Sequence, residues 1–383
     1  MKIAILIISN TLSGAEKRLV RVFLRVPCKG LSFILLVNRT LLDRAMECPE
    51  FSDELSQPDI KARISLVEGV SDRLPKVPVR CALRVRQTLK RAGVGYVHAA
   101  LANTFPLAAM LAWLGVKVAF EVTSPKVAQK FSSPVRQLMA ARFDQVIFVT
   151  NTVSKTFSAA AGGWLLRKLK RYTHTTALFA PPAGAGTKVD LGRKENIIVY
   201  ASRFIPRKSP LLFAEVAKQF LELRRDWSVY ILGDGPEESV IRGTLRGEIE
   251  SGRVFVGRLS DPTEIFQKAR IMASLITTDN FPSQSVIEGL AAGCALLLSD
   301  RGESSRFIGD GNGCLTDLKI ENVLATLMHM TSESFDLSRA SEVSVSHVWS
   351  AFGGDAYAKS LEAAYAQFNG GRMSAVAKTT VKA

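Results

Sequence analysis

At 383 residues the chain is too long for one ordinary domain and comfortable for two of about 150–200 residues. Apolar residues at 47% and charged residues at 22% exclude a disordered chain and describe a globular one with ample core. The net charge of +15 is unevenly placed: residues 1–190 hold 28 Lys and Arg against 12 Asp and Glu, and the remaining 193 hold 22 against 23. An anionic partner, whether phospholipid, nucleic acid or a phosphorylated substrate, is therefore expected for the first half alone.

Along the chain, residues 3–8 form the first apolar run, six residues long before Ser9 and Asn10. A secretory h-region runs about 7–15 residues to a small-residue cleavage site, so this run predicts a buried strand. Further strands are predicted at 32–37, 64–67, 96–100, 116–122 and 145–150, with helices between them, notably 15–26 and 79–91. Residues 92–116 carry no formal charge, yet Gly93, Gly95, His98, Asn103, Thr104 and Pro106 interrupt them. A spanning helix wants about 20 predominantly apolar residues, so a strand followed by a buried helix at 106–114 is expected instead. The stretch 181–187 (Pro-Pro-Ala-Gly-Ala-Gly-Thr) is the best linker.

Beyond it the alternation restarts, with strands at 197–201, 227–232, 254–256, 271–276 and 295–299. Helices are expected at 211–225, 237–248, 262–269 and 286–292, and a last one near 356–368. Repeated β-α order predicts parallel sheets with helices on both faces. The chain is thus expected to be α/β, with two doubly wound Rossmann-like domains at 1–185 and 190–355 facing across a cleft. A helix at 356–369 would cross back, and the tail 370–383, without periodicity, would be disordered.

Several chemistries are disfavoured. Cys28, Cys48, Cys81, Cys294 and Cys314 form no CxxC pair, which suits a reducing compartment and offers no metal site. The four histidines make no HxxxH pair, and neither G-x-S-x-G nor D-x-D occurs. Metal-free chemistry without a cofactor is expected.

Four stretches follow predicted strands, where a doubly wound fold binds ligands. Residues 279–293 (Asp-Asn-Phe-Pro-Ser-Gln-Ser-Val-Ile-Glu-Gly-Leu-Ala-Ala-Gly) leave a strand and open a short helix, whose free N–H groups suit an anion. Ser285 and Glu288 also read as a capping box, which needs no function. Residues 203–208 (Arg-Phe-Ile-Pro-Arg-Lys) offer cations for a diphosphate, or make a solvated basic turn. Gly233-Asp234-Gly235-Pro236 is a tight turn or a ligand loop. In Ser13-Gly14-Ala15-Glu16, a second capping-box pattern, Gly14 would let backbone approach a phosphate.

Taken in order with Val254-Phe255-Val256-Gly257, residues 297–302 (Leu-Leu-Ser-Asp-Arg-Gly) and Asp310-Gly311-Asn312-Gly313, these stretches resemble the retaining glycosyltransferases of family 4, which have the GT-B fold. The match is dense from about 197 to 315 and thin before 190. The resemblance implies a cytoplasmic, metal-independent hexosyltransferase using a UDP- or GDP-sugar, with an acceptor bound by the first domain. A lipid-linked or cell-envelope glycan, in polysaccharide or lipopolysaccharide biosynthesis, is the expected acceptor. Arg203 and Lys208 then correspond to the pair that holds the donor diphosphate. Glu288 corresponds to the second acid of the E-x7-E motif, which contacts ribose. Gly14, Gly233, Gly257, Phe281, Pro282, Ser283, Gln284 and Ser285 fall on the donor side. The first acid, which contacts the sugar, is replaced: Asn280 stands in register, and Asp279 takes the role if the loop is one residue longer.

The family's histidine after the strand near 120 is also missing. Glu121, Thr123 or Ser124 would face the cleft in its place, with His98 either the nearest substitute or a satisfied core residue. Basic residues in 73–91 (Arg73, Lys76, Arg80, Arg84, Arg86, Lys90, Arg91) and 164–172 mix with apolar ones, as in segments that lie on anionic membrane surfaces. They read either as solvated faces of surface helices or, the sharper expectation, as attachment to the inner face of the membrane; nucleic acid is disfavoured because stacking aromatics are few. The competing readings are a GT-B sugar-nucleotide epimerase, a non-catalytic sugar-nucleotide binder, and a basic membrane-surface or nucleic-acid module.

Overall fold

The computed structural model describes residues 1–26, 30–69, 79–173, 190–259, 261–279 and 281–366, with Tyr172 and Thr173 described by backbone alone. Cys28, Arg73, Lys76, the 181–187 linker, Asn280 and the chain beyond 366 lie outside that description. The chain divides into two compact units, Met1–Ala180 with Gly353–Ala383, and Pro181–Phe352.

The first unit is built on seven strands: β1 Lys2–Ile7, β2 Ser32–Val37, β3 Ile64–Leu66, β4 Tyr96–Ala100, β5 Val118–Val122, β6 Gln145–Phe148 and β7 Lys170–Thr173. All are parallel, in the order β3-β2-β1-β4-β5-β6-β7. The largely apolar sequences of β1, β2, β4, β5 and β6 follow from burial on both faces. The second unit repeats the plan with β8 Glu195–Ala201, β9 Ser228–Leu232, β10 Val254–Gly257, β11 Ala269–Ser274, β12 Ala295–Ser299 and β13 Gly313–Thr316, in the order β10-β9-β8-β11-β12-β13. Strand order reverses between β1 and β4 and between β8 and β11, so each sheet has a switch point where its carboxyl-end loops diverge.

The uncharged run 92–116 resolves into buried β4 and the helix Phe105–Trp113, and no helix among the described residues is long and apolar enough to cross a membrane. Two strands escape the sequence pattern. Lys-Arg-Tyr-Thr of β7 reads as a charged segment, and β13 is short and half-buried. The basic stretch 164–172 divides between the helix Gly163–Lys168 and edge strand β7. The helix expected at 237–248 breaks at Leu245 into Glu238–Thr244 and Arg246–Glu250, with Gly243 and Gly247 on either side of the break. The helices Ile320–Met330 and Leu337–Phe352 are additions to the expected elements.

The last helix, Gly354–Ala366, belongs to the first unit, where Tyr357, Leu361 and Tyr365 are buried in its core.

Candidate functional site

In the second unit, backbone hydrogen bonds join the carboxyl-end loops around the β8/β11 switch point. Phe204 N donates to Asp234 O at 2.7 Å, tying the loop after β8 to the loop after β9. Thr277 N donates to Arg207 O at 3.1 Å, tying in the loop after β11, and Gly233 N donates to Gly257 O at 3.0 Å at the end of β10. Glycine is required where these chains cross. At Gly233 (φ +150°) a Cβ would lie 1.9 Å from Ser202 O, and at Gly235 (φ +151°) 2.4 Å from Phe204 O. Gly233 and Gly235 thus hold the loops together rather than merely turning the chain. Gly233→Ala is expected to destabilise the protein by at least about 1–3 kcal/mol, through strain and clash, in a denaturant titration.

Three cations gather on this framework. Arg203 and Arg207 are exposed and Lys208 is half-buried. Burial, then the charges of Arg207 and Arg203, push the Lys208 ammonium down to about 8. The Tyr200 hydroxyl, buried and stacked on Phe213 at 4.7 Å, donates to Lys208 O and fixes the turn from below. Ser209 follows with a left-handed φ of +50° and opens the helix Pro210–Leu223. An anion placed among these three cations would relieve the part of the Lys208 depression that comes from Arg207 and Arg203.

The loop after β11 supplies the opposite wall. Asp279 Oδ1 accepts N–H groups from Phe281 at 3.0 Å and Glu303 at 3.3 Å, joining this loop to the one after β12. A Cβ at Gly302 would overlap the Asp279 carboxyl group, so the contact is close. Phe281 is 6% exposed and packs on Phe307, Phe352 and the Arg306 guanidinium, which makes it an anchor of the loop. The helix Gln284–Ala291 begins one residue earlier than Ser285, with Ser283 at the cap. The capping-box pairing of Ser285 with Glu288 is therefore replaced: Gln284 Nε2 donates to Glu288 Oε1 at 2.6 Å, and the Ser283 and Ser285 hydroxyls face each other at 3.4 Å. The first turn contains no acid, so its N–H groups present positive potential. Gly289 brings the helix tight against β11, since a Cβ there would lie 2.9 Å from Met272 Cγ.

In the first unit the expected residues have other surroundings. Gly14 does open a helix, Gly14–Arg25, but the Glu16 carboxylate occupies its start. It accepts from Ser9 Oγ at 2.7 Å, Ser13 N at 3.2 Å and Ser13 Oγ. A phosphate there would meet a carboxylate. Glu121 is fully buried and grasped by both terminal nitrogens of Arg18. His98 Nε2 lies 3.2 Å from Glu121 Oε2, and His98 Nδ1 bonds the Tyr365 hydroxyl at 2.7 Å. Burial alone would raise the Glu121 carboxyl, but Arg18 and His98 outweigh it and hold it well below the usual carboxylate range. Glu121 and His98 thus form a buried latch on the last helix instead of facing a cleft. Ser124 caps the helix Pro125–Gln129 by accepting from Val127 N at 3.3 Å, and Thr123 beside it is half-buried. Sequence reasoning missed Arg18, Tyr357 and Tyr365, whose partners lie far away in the chain.

Residues 195–330 match the family described as glycosyl transferases group 1, a span that covers β8 to β13 and Arg203 through Glu288. No curated protein matches the chain in sequence. Among solved structures, the chain is similar to a glycosyltransferase from Rickettsia africae ESF-5, at 14% identity over 97% of this chain and 99% of that one, with a TM-score of 0.70. It is similar to HepE of Anabaena, solved with UDP and glucose, at 14% identity over 97% and 100%, TM-score 0.69. It is also similar to the lipopolysaccharide outer core galactosyltransferase WaaB, at 15% identity over 97% and 100%, TM-score 0.65. The fold is that of GT-B glycosyltransferases, two Rossmann-like α/β sheets, and its second half carries the group 1 sequence pattern.

Proposed function

We propose that the protein is a retaining, metal-independent glycosyltransferase that takes a sugar from a UDP- or GDP-sugar. The cluster of Arg203, Arg207 and Lys208 at the β8/β11 switch point carries this reading, since three cations meet there and burial, with the charges of Arg207 and Arg203, lowers Lys208 to about 8. Breaking the bond between the anomeric carbon and the diphosphate builds negative charge on phosphate. Preorganised cations and the N–H groups of helix Gln284–Ala291 stabilise that charge without reorganising. Glu288, held by Gln284, is assigned to the ribose, and Asp279 fastens Phe281 and the loop after β12. UDP in the similar HepE structure favours a uridine donor, and the basic first half together with the likeness to WaaB favours a lipid-linked or cell-envelope glycan as acceptor. Peripheral attachment to the inner face of the membrane follows from that acceptor.

Calorimetry with UDP, GDP, ADP and their sugar conjugates, without metal, tests the donor site. One nucleotide should bind the wild type and fail to bind when Arg203 and Lys208 are both alanine; no binding by any of them would refute the reading. The pH dependence is a second check. A bound diphosphate raises Lys208 from about 8, so binding takes up a proton just above that pH and affinity falls as pH rises through it. Calorimetry in buffers of different ionisation enthalpy should reveal this uptake, and Lys208→Ala should abolish it.

A further inference from the structure

Between residues 79 and 168 the first unit contains six α-helices, and none of them carries an Asp or Glu. The two acids in this span, Glu121 and Asp144, are turned to other tasks: Glu121 is buried on Arg18, and Asp144 Oδ2 accepts the Val118 N–H at 2.8 Å. These helices join strands that advance in one direction across the sheet, so right-handed crossovers place them on one face. The helices between residues 14 and 61 join strands that advance the other way and lie on the opposite face, where Glu16 and Glu54, with Glu50 from a turn, sit beside the helix Gly14–Arg25.

The acid-free face is also where the unit exposes its apolar side chains. Among the described residues of the first unit, all the exposed large hydrophobics fall on four of these helices: Val79, Leu83, Trp113, Val135, Leu138 and Trp164, each 44–66% exposed. The four helices are neighbours. Val79–Arg91 packs beside Phe105–Trp113. Trp113 Nε1 donates to Met139 O at 3.3 Å, just inside the helix Pro134–Ala140. A Cβ at Gly162, next to Trp164, would lie 2.8 Å from Gln137 Oε1. Helix Val79–Arg91 buries Cys81, Ala82, Val85 and Leu89 and turns out Arg80, Arg84, Arg86, Lys90 and Arg91, with Leu83 among them. The Arg142 guanidinium lies 5.0 Å over the Trp113 ring.

Cations alone would suit any polyanion. Exposed Leu83, Val135 and Leu138 gain nothing against phosphate or stacked bases, but they gain from entering the acyl boundary of a bilayer while Lys and Arg meet its headgroups. We propose that this helical face docks on an anionic lipid surface, with Trp113, Val135 and Leu138 inserted and the cations of helix Val79–Arg91 on the headgroups. The proposal deepens the acceptor reading above and rests on it for its purpose, while its observations come from the first unit alone. It turns the contact expected through the basic stretches 73–91 and 164–172 into a composite surface on four helices.

Flotation of the full chain with vesicles tests it. The protein should float with equimolar phosphatidylcholine and phosphatidylglycerol, and not with phosphatidylcholine alone. Each cation near such a surface is worth roughly fivefold in partitioning, so Arg80→Gln, Arg84→Gln and Lys90→Gln together should weaken it about a hundredfold. Trp113→Ala with Val135→Ser and Leu138→Ser should also abolish flotation, whereas Leu223→Ser, equally exposed in the second unit, should not. Thermal unfolding is followed on every variant to show that the first unit folds, and absence of nucleotide-sugar binding in the wild type would refute the donor reading without touching this one. Absence of flotation, or wild-type flotation by either triple variant, overturns the proposal. Binding of a single-stranded RNA unaffected by the apolar substitutions, in place of vesicle binding, would make this a nucleic-acid surface instead.

Discussion

The double variant Arg203→Ala, Lys208→Ala is expected to fold normally and to lose about 10² to 10⁴ in kcat, with each single variant losing at least about tenfold. A hydrogen bond to a charged group contributes about 1.5–3 kcal/mol, so two cations that grip a departing diphosphate supply roughly 3–6 kcal/mol. The loss should fall on kcat more than on KM, because charge on the leaving phosphate is greater in the transition state than in the bound donor. Stability should hold, since Arg203 is exposed and Lys208 is depressed by burial and then by Arg207 and Arg203, so the folded form gains little from its charge. Arg207→Ala serves as a comparison: its guanidinium approaches Thr278 Oγ1 at 3.5 Å and crowds Lys208. Removing it should raise the Lys208 pKa toward its ordinary value and move the proton uptake on nucleotide binding to higher pH. Turnover near wild type in the double variant would remove the donor site from this loop.

Much of this site was legible because the ligand edge of a parallel sheet lies where short apolar runs end. The runs at 197–201, 227–232 and 271–276 mark β8, β9 and β11 closely, and the loops after them contain Arg203, Gly233 and Asp279. Alternation of strand and helix also gave the two-sheet plan. Sequence could not tell a ligand group from a loop anchor when both are polar and sit after a strand. Asp279 shows this: its pattern suits a sugar contact, while its Oδ1 fastens two loops through backbone N–H groups. Gly14 shows the converse, because its phosphate-friendly backbone is undone by Glu16 two residues on. Strands β7 and β13 were hidden by edge position and short length, where partial exposure removes the apolar run. Least legible was the Arg18–Glu121–His98–Tyr365 chain, whose bonded pairs are separated by up to 267 residues and which is completed only when the last helix packs on the first unit.

That buried chain gives the other large effect. Glu121→Gln is expected to destabilise the protein by about 3–5 kcal/mol, the usual result of leaving one member of a buried ion pair uncompensated. Arg18 is as enclosed as Glu121; burial works against its charge, and Glu121 with Tyr357 sustains it. Because Tyr357 lies beside Arg18 and Tyr365 bonds His98, the loss should concentrate on the helix Gly354–Ala366. Hydrogen exchange in that helix should quicken more than in the helices of the second unit, which a general loss of packing would not produce. Pairing Glu121→Leu with Arg18→Met should recover much of the stability, since two apolar groups leave no orphan charge. The pH dependence has a definite sign. The folded Glu121 pKa lies well below the usual carboxylate range, so in acid the unfolded chain binds a proton that the folded chain refuses. Its contribution is complete above the unfolded value near 4.3 and declines as pH falls toward the folded one. Acid titrations of stability should therefore be less steep for Glu121→Gln than for wild type; equal slopes with equal midpoints would show that the pair does not hold the helix.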